Sequence, residues 1–322
     1  MSPGVSRALR LILALAIFAV LLWRSNPALV GRALANASPL WILAAVALVL
    51  VDRALMAYRW IALLTPLTAG TRPPTGTLLR IFFVSTFVGT FLPASIGGDA
   101  VRAWSLAKDG VARSESIASV LMDRLLGVIG ILIMAAVGLL LAPDVLALDG
   151  PVAWMVIAAA AAGLAGSVIG LTAVFSSRAG SWIAAAIGQL PAGRVSRGLT
   201  QLVASLRAYR HHHGMIAIVL AASVGVQGLR ILQAWMLGVS LGMTASLMTY
   251  FAFVPVILLI MLLPISVNGI GTSQLAFQAL FGFTPEVFAL SVLFVALGTV
   301  GNLPGALLYA FGGARPAGAA RA

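Results

Sequence analysis

Leu92-Pro93-Ala94-Ser95-Ile96-Gly97-Gly98 and Leu263-Pro264-Ile265-Ser266-Val267-Asn268-Gly269 are two versions of one phrase, each set inside an apolar stretch. Proline and glycine interrupt helices. At bilayer depth an interrupted helix is tolerated only where it is buried in protein or lines a cavity. A matched pair of interruptions, one in each half of a membrane protein, points to a binding site.

The surroundings of the phrase are those of a membrane protein. Of 322 residues 61% are hydrophobic and 9% charged, where a soluble domain carries about 25% charged residues. Mean hydropathy is +1.08. The fold class expected is an all-α integral membrane protein. Cysteine is absent, which excludes disulfides, iron–sulfur clusters and thiolate zinc sites. The net charge of +12 comes from basic residues in short loops between apolar segments. That placement fits the orientation bias of membrane loops and anionic lipid headgroups, and no nucleic-acid partner is expected. Arg7 and Arg10 before the apolar run Leu11–Trp23 resemble a signal peptide. The Ala-Asn-Ala site lies far beyond that run and Arg24 intervenes, so the segment reads as an uncleaved first helix.

Spans of about 20 apolar residues are expected at 8–24, 39–64, 116–142, 152–175, 215–240 and 286–311. The phrase-bearing segments 77–108 and 246–282 are expected to be broken. In the first, Asp99 is a plausible N-cap for a short helix that Asp109-Gly110 ends. In the second, Ser273 takes the cap and Gly282 the stop. If both segments enter and leave on one face, nearly all arginines fall on the cytoplasmic side. Arg24 and Arg32 alone lie outside, with the acidic loop of Asp144 and Asp149. If both cross, the five arginines of 178–210 lie outside, against the positive-inside bias. The expected architecture is therefore an inverted repeat of about six spanning helices plus two re-entrant helical hairpins. It is one transmembrane domain, with repeat one at 1–150, repeat two at 151–322 and both termini cytoplasmic. The basic linker 176–214 lies inside repeat two. Its Leu199, Leu202, Val203, Leu206 and Tyr209 have helical spacing, which suits a helix lying on anionic lipid and equally a plain connector.

Ionisable residues within spans are functional candidates. Asp52, Arg53 and Arg59 lie on the second span, and Asp52 and Arg59 share a face. Asp52 and Arg53 are expected to face the bundle interior, paired with Arg230 and each other or exposed to a cavity. Arg59, near the cytoplasmic end, is open to snorkelling or function. Asp123 and Arg124 follow the first hairpin, and Arg230 lies mid-span with Gln227 and Gln233 on adjoining turns. Arginine outnumbers carboxylate, and arginine binds phosphate bidentately. The Gly97-Gly98 tip, with Ser95 beside it and Arg102 on the helix that follows, offers backbone N–H groups to an anion. The second hairpin offers Ser266, Asn268, Gly269, Gly271 and Gln274, polar but uncharged. The expected ligand is an anionic headgroup with its apolar tail left in lipid. His211, His212 and His213 lack metal-ligand spacing with carboxylates, Gly269-Ile270-Gly271 lacks a strand–turn–helix context, and no serine has a histidine base within a span. No cofactor, metal or catalytic residue is expected.

At these positions the chain resembles the transmembrane region of lysylphosphatidylglycerol synthases, the flippase-like domain family. Pro93, Gly97-Gly98-Asp99, Arg102, Ala118-Ser119-Val120 and Asp123-Arg124 follow the first family signature. Pro264, Ser266, Gly269 and Gly271 follow the second. Asp123 replaces the usual glutamate, and Gln274 stands where the family has an acid, which removes support for a proton- or cation-linked role there. The resemblance implies a lipid-handling membrane domain without the aminoacyl-transferase domain, in a bacterial inner membrane. In the family the domain is linked to moving aminoacylated phosphatidylglycerol between leaflets, and stand-alone relatives are suspected of moving other anionic or prenyl-linked lipids. Three readings follow. The first is a flippase binding an anionic or prenyl-linked headgroup between the hairpins. The second is an intramembrane enzyme acting on a lipid phosphate or glycolipid through Asp52, Asp99 and Asp123. The third is an accessory subunit partnered with a lipid-modifying enzyme. Oligomeric state is not fixed by the sequence.

Overall fold

The computed structural model describes residues 19–68, 72–92, 96–141, 151–189, 191, 193–262 and 270–311. No strand occurs among them. After a helical end at 19–24 come α1 (Pro27–Ala35), α2 (Pro39–Leu64), α3 (Thr75–Thr90), α4 (Ile96–Lys108), α5 (Arg113–Leu141) and α6 (Pro151–Phe175). The linker holds α7 (Ser177–Gly188), α8 (Arg194–Arg207) and a 3-10 turn, Ala208–His211. Then follow α9 (His213–Ser240), α10 (Leu247–Leu262), α11 (Thr272–Phe281), α12 (Pro285–Val300) and α13 (Leu303–Phe311).

This is a multi-pass membrane protein. Pro39–Leu64, Arg113–Gly138, His213–Ser240 and Pro285–Phe311 are each long and apolar enough to cross a bilayer. A fifth candidate joins α6 to α7 through an 87° bend, Ala160–Thr172 with Ser177–Gly188. The expected first span, 8–24, lies largely outside the described residues. The outward faces stay apolar, with Leu40, Leu43, Val51, Ile169 and Ile218 exposed, as lipid demands.

α3 and α10, the limbs that lead to the two phrases, have 16 residues each. At 1.5 Å per residue that is about 24 Å, short of the roughly 30 Å hydrocarbon core. The phrases themselves, 93–95 and 263–269, lie outside the described residues. Two expectations about the short helices change. The helix after the first phrase begins at Ile96, so Asp99 sits in its first turn rather than at its N-cap, where its charge still suits the helix dipole. The helix after the second phrase is capped by Gly271 at φ 85°, with Ser273 inside it, and Gly282 at φ 101° ends it as expected.

α2 and α9 form the most extensive helix pair, and each limb packs on a span of the other half: α3 on α13, and α10 on α5. Glycine makes both limb contacts possible. A Cβ on Gly138 of α5 would collide with the Phe251 carbonyl of α10, and one on Gly305 of α13 with the Phe83 carbonyl of α3. The first case has a local cause. Pro255 lies inside α10 and has no N–H to give to the carbonyl four residues earlier, that of Phe251. The small face of Gly138 closes over that carbonyl.

The linker helix α8 packs on α5 and α6. Leu202, Leu206 and Tyr209 join Met122, Leu126 and Val174 in one cluster, so this stripe covers the bundle. The Tyr209 hydroxyl donates to the Leu63 carbonyl at 2.8 Å, one of the last-turn carbonyls of α2 that have no partner within their own helix.

Candidate functional site

The charged residues of the spans converge in two neighbouring pockets. The first lies among α2, α4, α5 and α9, has a volume of about 120 Å³, and includes Arg59, Asp99, Arg102, Asp123, Arg124 and Arg230 in its wall. Asp123, buried, is its centre. Its Oδ1 accepts from Arg59 Nε at 2.7 Å, and Oδ2 lies 3.5 Å from Arg102 Nη1. Arg59 also donates to Ser223 Oγ at 3.1 Å. Gly127, one turn along from Asp123, lies beside the guanidinium: a Cβ there would be in ordinary contact with Arg59 Nη2, at 3.6 Å. Arg59 is thus a buried member of the cluster and does not snorkel.

Arg102 lies between aromatic faces, 5.3 Å from the Trp60 ring and 4.6 Å from Phe82, which suits a desolvated cation. Arg124 pairs with Asp99. Its side chain is 38% exposed against 6% for Arg102, so Arg124 presents the most accessible positive charge of this pocket.

The second pocket, about 180 Å³, is walled by α2, α9, α10 and α12 and shares Arg230 with the first. Asp52 binds Arg53 Nη1 at 2.7 Å and stands 3.4 Å from Arg230 Nε. Arg53 also donates to Asn302 Oδ1 at 2.9 Å and to the Gly298 carbonyl at 3.2 Å, and Asn302 donates to Thr90 Oγ1 at 2.8 Å. The interior orientation expected for Asp52 and Arg53 is what the structure has. Together the two pockets hold five arginines and three aspartates.

A third, apolar pocket of about 370 Å³ runs between α5 and α6, among Leu121, Leu125, Val128, Gly163, Gly166 and Gly170. Arg124 belongs to its wall as well as to that of the first pocket.

Several expected site residues lie elsewhere. Ser95, Ser266, Asn268 and Gly269 are outside the described residues. Gly97 and Gly98 are in the first turn of α4, not a free tip. Gly98 closes on α3, where a Cβ would stand 2.9 Å from the Ser85 carbonyl, and one on the facing Gly89 would stand 2.8 Å from Gly98 Cα. Gly271 and Gln274 cap α11. The buried Gln274 Oε1 accepts from Gly271 N–H at 2.7 Å and from Ser273 Oγ at 3.1 Å, and neither residue lines the arginine pockets.

The sequence model of the lysylphosphatidylglycerol synthase TM region matches residues 10–305. The chain belongs to this family. No curated protein and no solved structure matches it. In this chain Asp99 and Arg102 of the Gly-Gly-Asp-x-x-Arg block, with the pair Asp123-Arg124, line the first pocket.

Sequence reasoning missed Trp60, Phe82, Ser85, Ser223, Thr299 and Asn302. A signal for some of them was present. The offset that carries Leu92 onto Leu263 carries Arg59 onto Arg230 and Asp52 onto Ser223. Without a gap it also carries Glu115, Ala118, Leu126, Gly127, Gly130 and Leu132 onto Glu286, Ala289, Leu297, Gly298, Gly301 and Leu303.

Proposed function

We propose that this protein moves an anionic lipid between leaflets as a non-catalytic flippase, its headgroup held in the arginine pockets between the two broken segments. The observation that carries this reading is Arg124. It stands where a charged pocket meets an apolar one, the division of surface that a phosphate on an acyl chain needs. The surplus of arginine over aspartate leaves a net positive pocket for a phosphate. Each of Asp52, Asp99 and Asp123 lies within ion-pair reach of an arginine, an arrangement that favours binding over acid–base chemistry.

The inverted repeat, with halves 1–150 and 151–322, supplies the movement in this reading. It is supported by the shared offset, by the reciprocal packing of each limb on the other half, and by the arginines. Arg59 meets Ser223 while its counterpart Arg230 meets Asp52, the counterpart of Ser223. Rocking of such halves alternates access to a site between them. The termini then lie in the cytoplasm of a bacterium and the chain in its inner membrane.

The test is translocation of a headgroup-labelled anionic lipid in reconstituted vesicles. Wild-type protein accelerates it. Arg124→Gln slows it by roughly tenfold, the scale of one charge-assisted hydrogen bond. Gly166→Leu, at a position with open space around it, fills the apolar pocket and slows it without unfolding the protein. Unchanged rates in both variants would sink the proposal.

A further inference from the structure

The second arginine pocket is the first one repeated. The offset that relates the two phrases carries Arg59, Asp123, Arg124, Gly127, Val128 and Ile131 of the first wall onto Arg230, Phe294, Val295, Gly298, Thr299 and Asn302 of the second. The two walls thus occupy the same places in the two halves and meet at Arg230. Their chemistry has exchanged. Where the first has the charged pair Asp123-Arg124, the second has Phe294-Val295. Where the first has Val128 and Ile131, the second has Thr299 and Asn302.

The groups in the second pocket suit hydroxyls. Gln233 is 3% exposed and its Nε2, a donor, has no hydrogen-bond partner among the described residues; Asp52 Oδ1, an acceptor, has the Arg230 guanidinium 3.4 Å away but accepts no hydrogen bond among the described residues. Both residues line the pocket. A buried donor without a partner is costly, and a hydroxyl accepts from such a donor while its own proton suits a carboxylate oxygen. An ammonium group is a poorer fit. The carboxylate of Asp52 already faces Arg53 and Arg230, so the pocket carries a net positive charge that repels a cation.

We infer that the second pocket binds the uncharged, hydroxyl-bearing part of a headgroup whose phosphate sits in the first pocket. The ligand class is then an anionic phospholipid with a polyol or sugar headgroup, not one with an amine. This rests on the flippase reading above, because it presumes that the first pocket takes the phosphate.

Full-length protein in phosphatidylcholine nanodiscs is titrated with phosphatidylglycerol, with phosphatidylpropanol and with phosphatidylethanolamine. The first two carry the same phosphodiester charge and differ in the hydroxyls, and the third carries an amine. Phosphatidylglycerol is expected to bind roughly tenfold more tightly than phosphatidylpropanol, since a site that hydrogen-bonds a hydroxyl rejects the analogue lacking it. Gln233→Leu, and separately the isosteric Thr299→Val, reduce that ratio and leave phosphatidylpropanol binding as it was. Equal binding of the two anionic lipids, a preference that survives both variants, or tightest binding of phosphatidylethanolamine overturns the inference. Weakening of both anionic lipids alike by the two variants also overturns it, making the second pocket another phosphate station. If neither anionic lipid binds, the flippase reading falls with it.

Discussion

Asp123 is the residue on which the first pocket depends. It stands between two buried arginines, Arg59 and Arg102, and removing one partner from a buried ion pair costs about 3–5 kcal/mol because the other charge is left uncompensated. Asp123→Ala is therefore expected to lower the thermal unfolding temperature in detergent sharply. Asp99→Ala, whose partner Arg124 has a side chain 38% exposed, is expected to cost about 1 kcal/mol or less. Equal shifts for the two variants would refute this ranking. The charged residues were legible in the sequence because charge inside an apolar span stands out. Their pairing was not. Arg59 and Asp123 lie 64 residues apart, and no local spacing links them. Arg102 illustrates the same limit. It looked like a direct phosphate ligand, yet the rings of Trp60 and Phe82 that enclose it come from two other helices.

At the scale of the helices, glycine fixes how closely the limbs are held. Gly138 and Gly305 each meet a carbonyl of the opposite half's limb. Gly138→Ala and Gly305→Ala are each expected to force the helices apart and destabilise by about 1–3 kcal/mol, read as loss of thermal stability. Gly166→Ala, with nothing near its Cβ position, serves as the tolerated control, and equal behaviour of all three would contradict the packing argument. At the linker, Tyr209→Phe leaves the Leu63 carbonyl without its hydroxyl and is expected to cost about 1 kcal/mol. Helix ends were only partly readable. Gly282 stops α11 because its φ of 101° suits glycine alone. Gly97-Gly98 looked like the same kind of break, but the small size of Gly98 serves the α3–α4 crossing at Gly89, a contact that sequence spacing does not reveal.

For the whole molecule, the length and order of the apolar segments showed a multi-pass helical protein, and the charge bias of the loops suggested which segments turn back. The absence of cysteine makes a direct test simple. Ala112 follows the first phrase-bearing segment, and the exposed Phe283 follows the second. In the inverted repeat, Ala112→Cys and Ser181→Cys are modified by impermeant reagent from the cytoplasmic side only, and Phe283→Cys from the opposite side only. Labelling of Ala112→Cys and Phe283→Cys from one and the same side would end the inverted-repeat proposal.

The neutrality of Gln274 and the surplus of arginine bear on what could drive such a protein. A single phosphodiester carries one negative charge, and moving one elementary charge across a membrane is worth about 2.3 kcal/mol per 100 mV. The fixed arginines lower the cost of bringing that charge into the protein, but they do not travel with it. An inside-negative potential would then favour passage from the inner leaflet to the outer with no ion gradient. In vesicles the flux should rise with an imposed diffusion potential of that sign, reverse with the opposite sign, and stay unchanged when a pH gradient is dissipated at constant voltage.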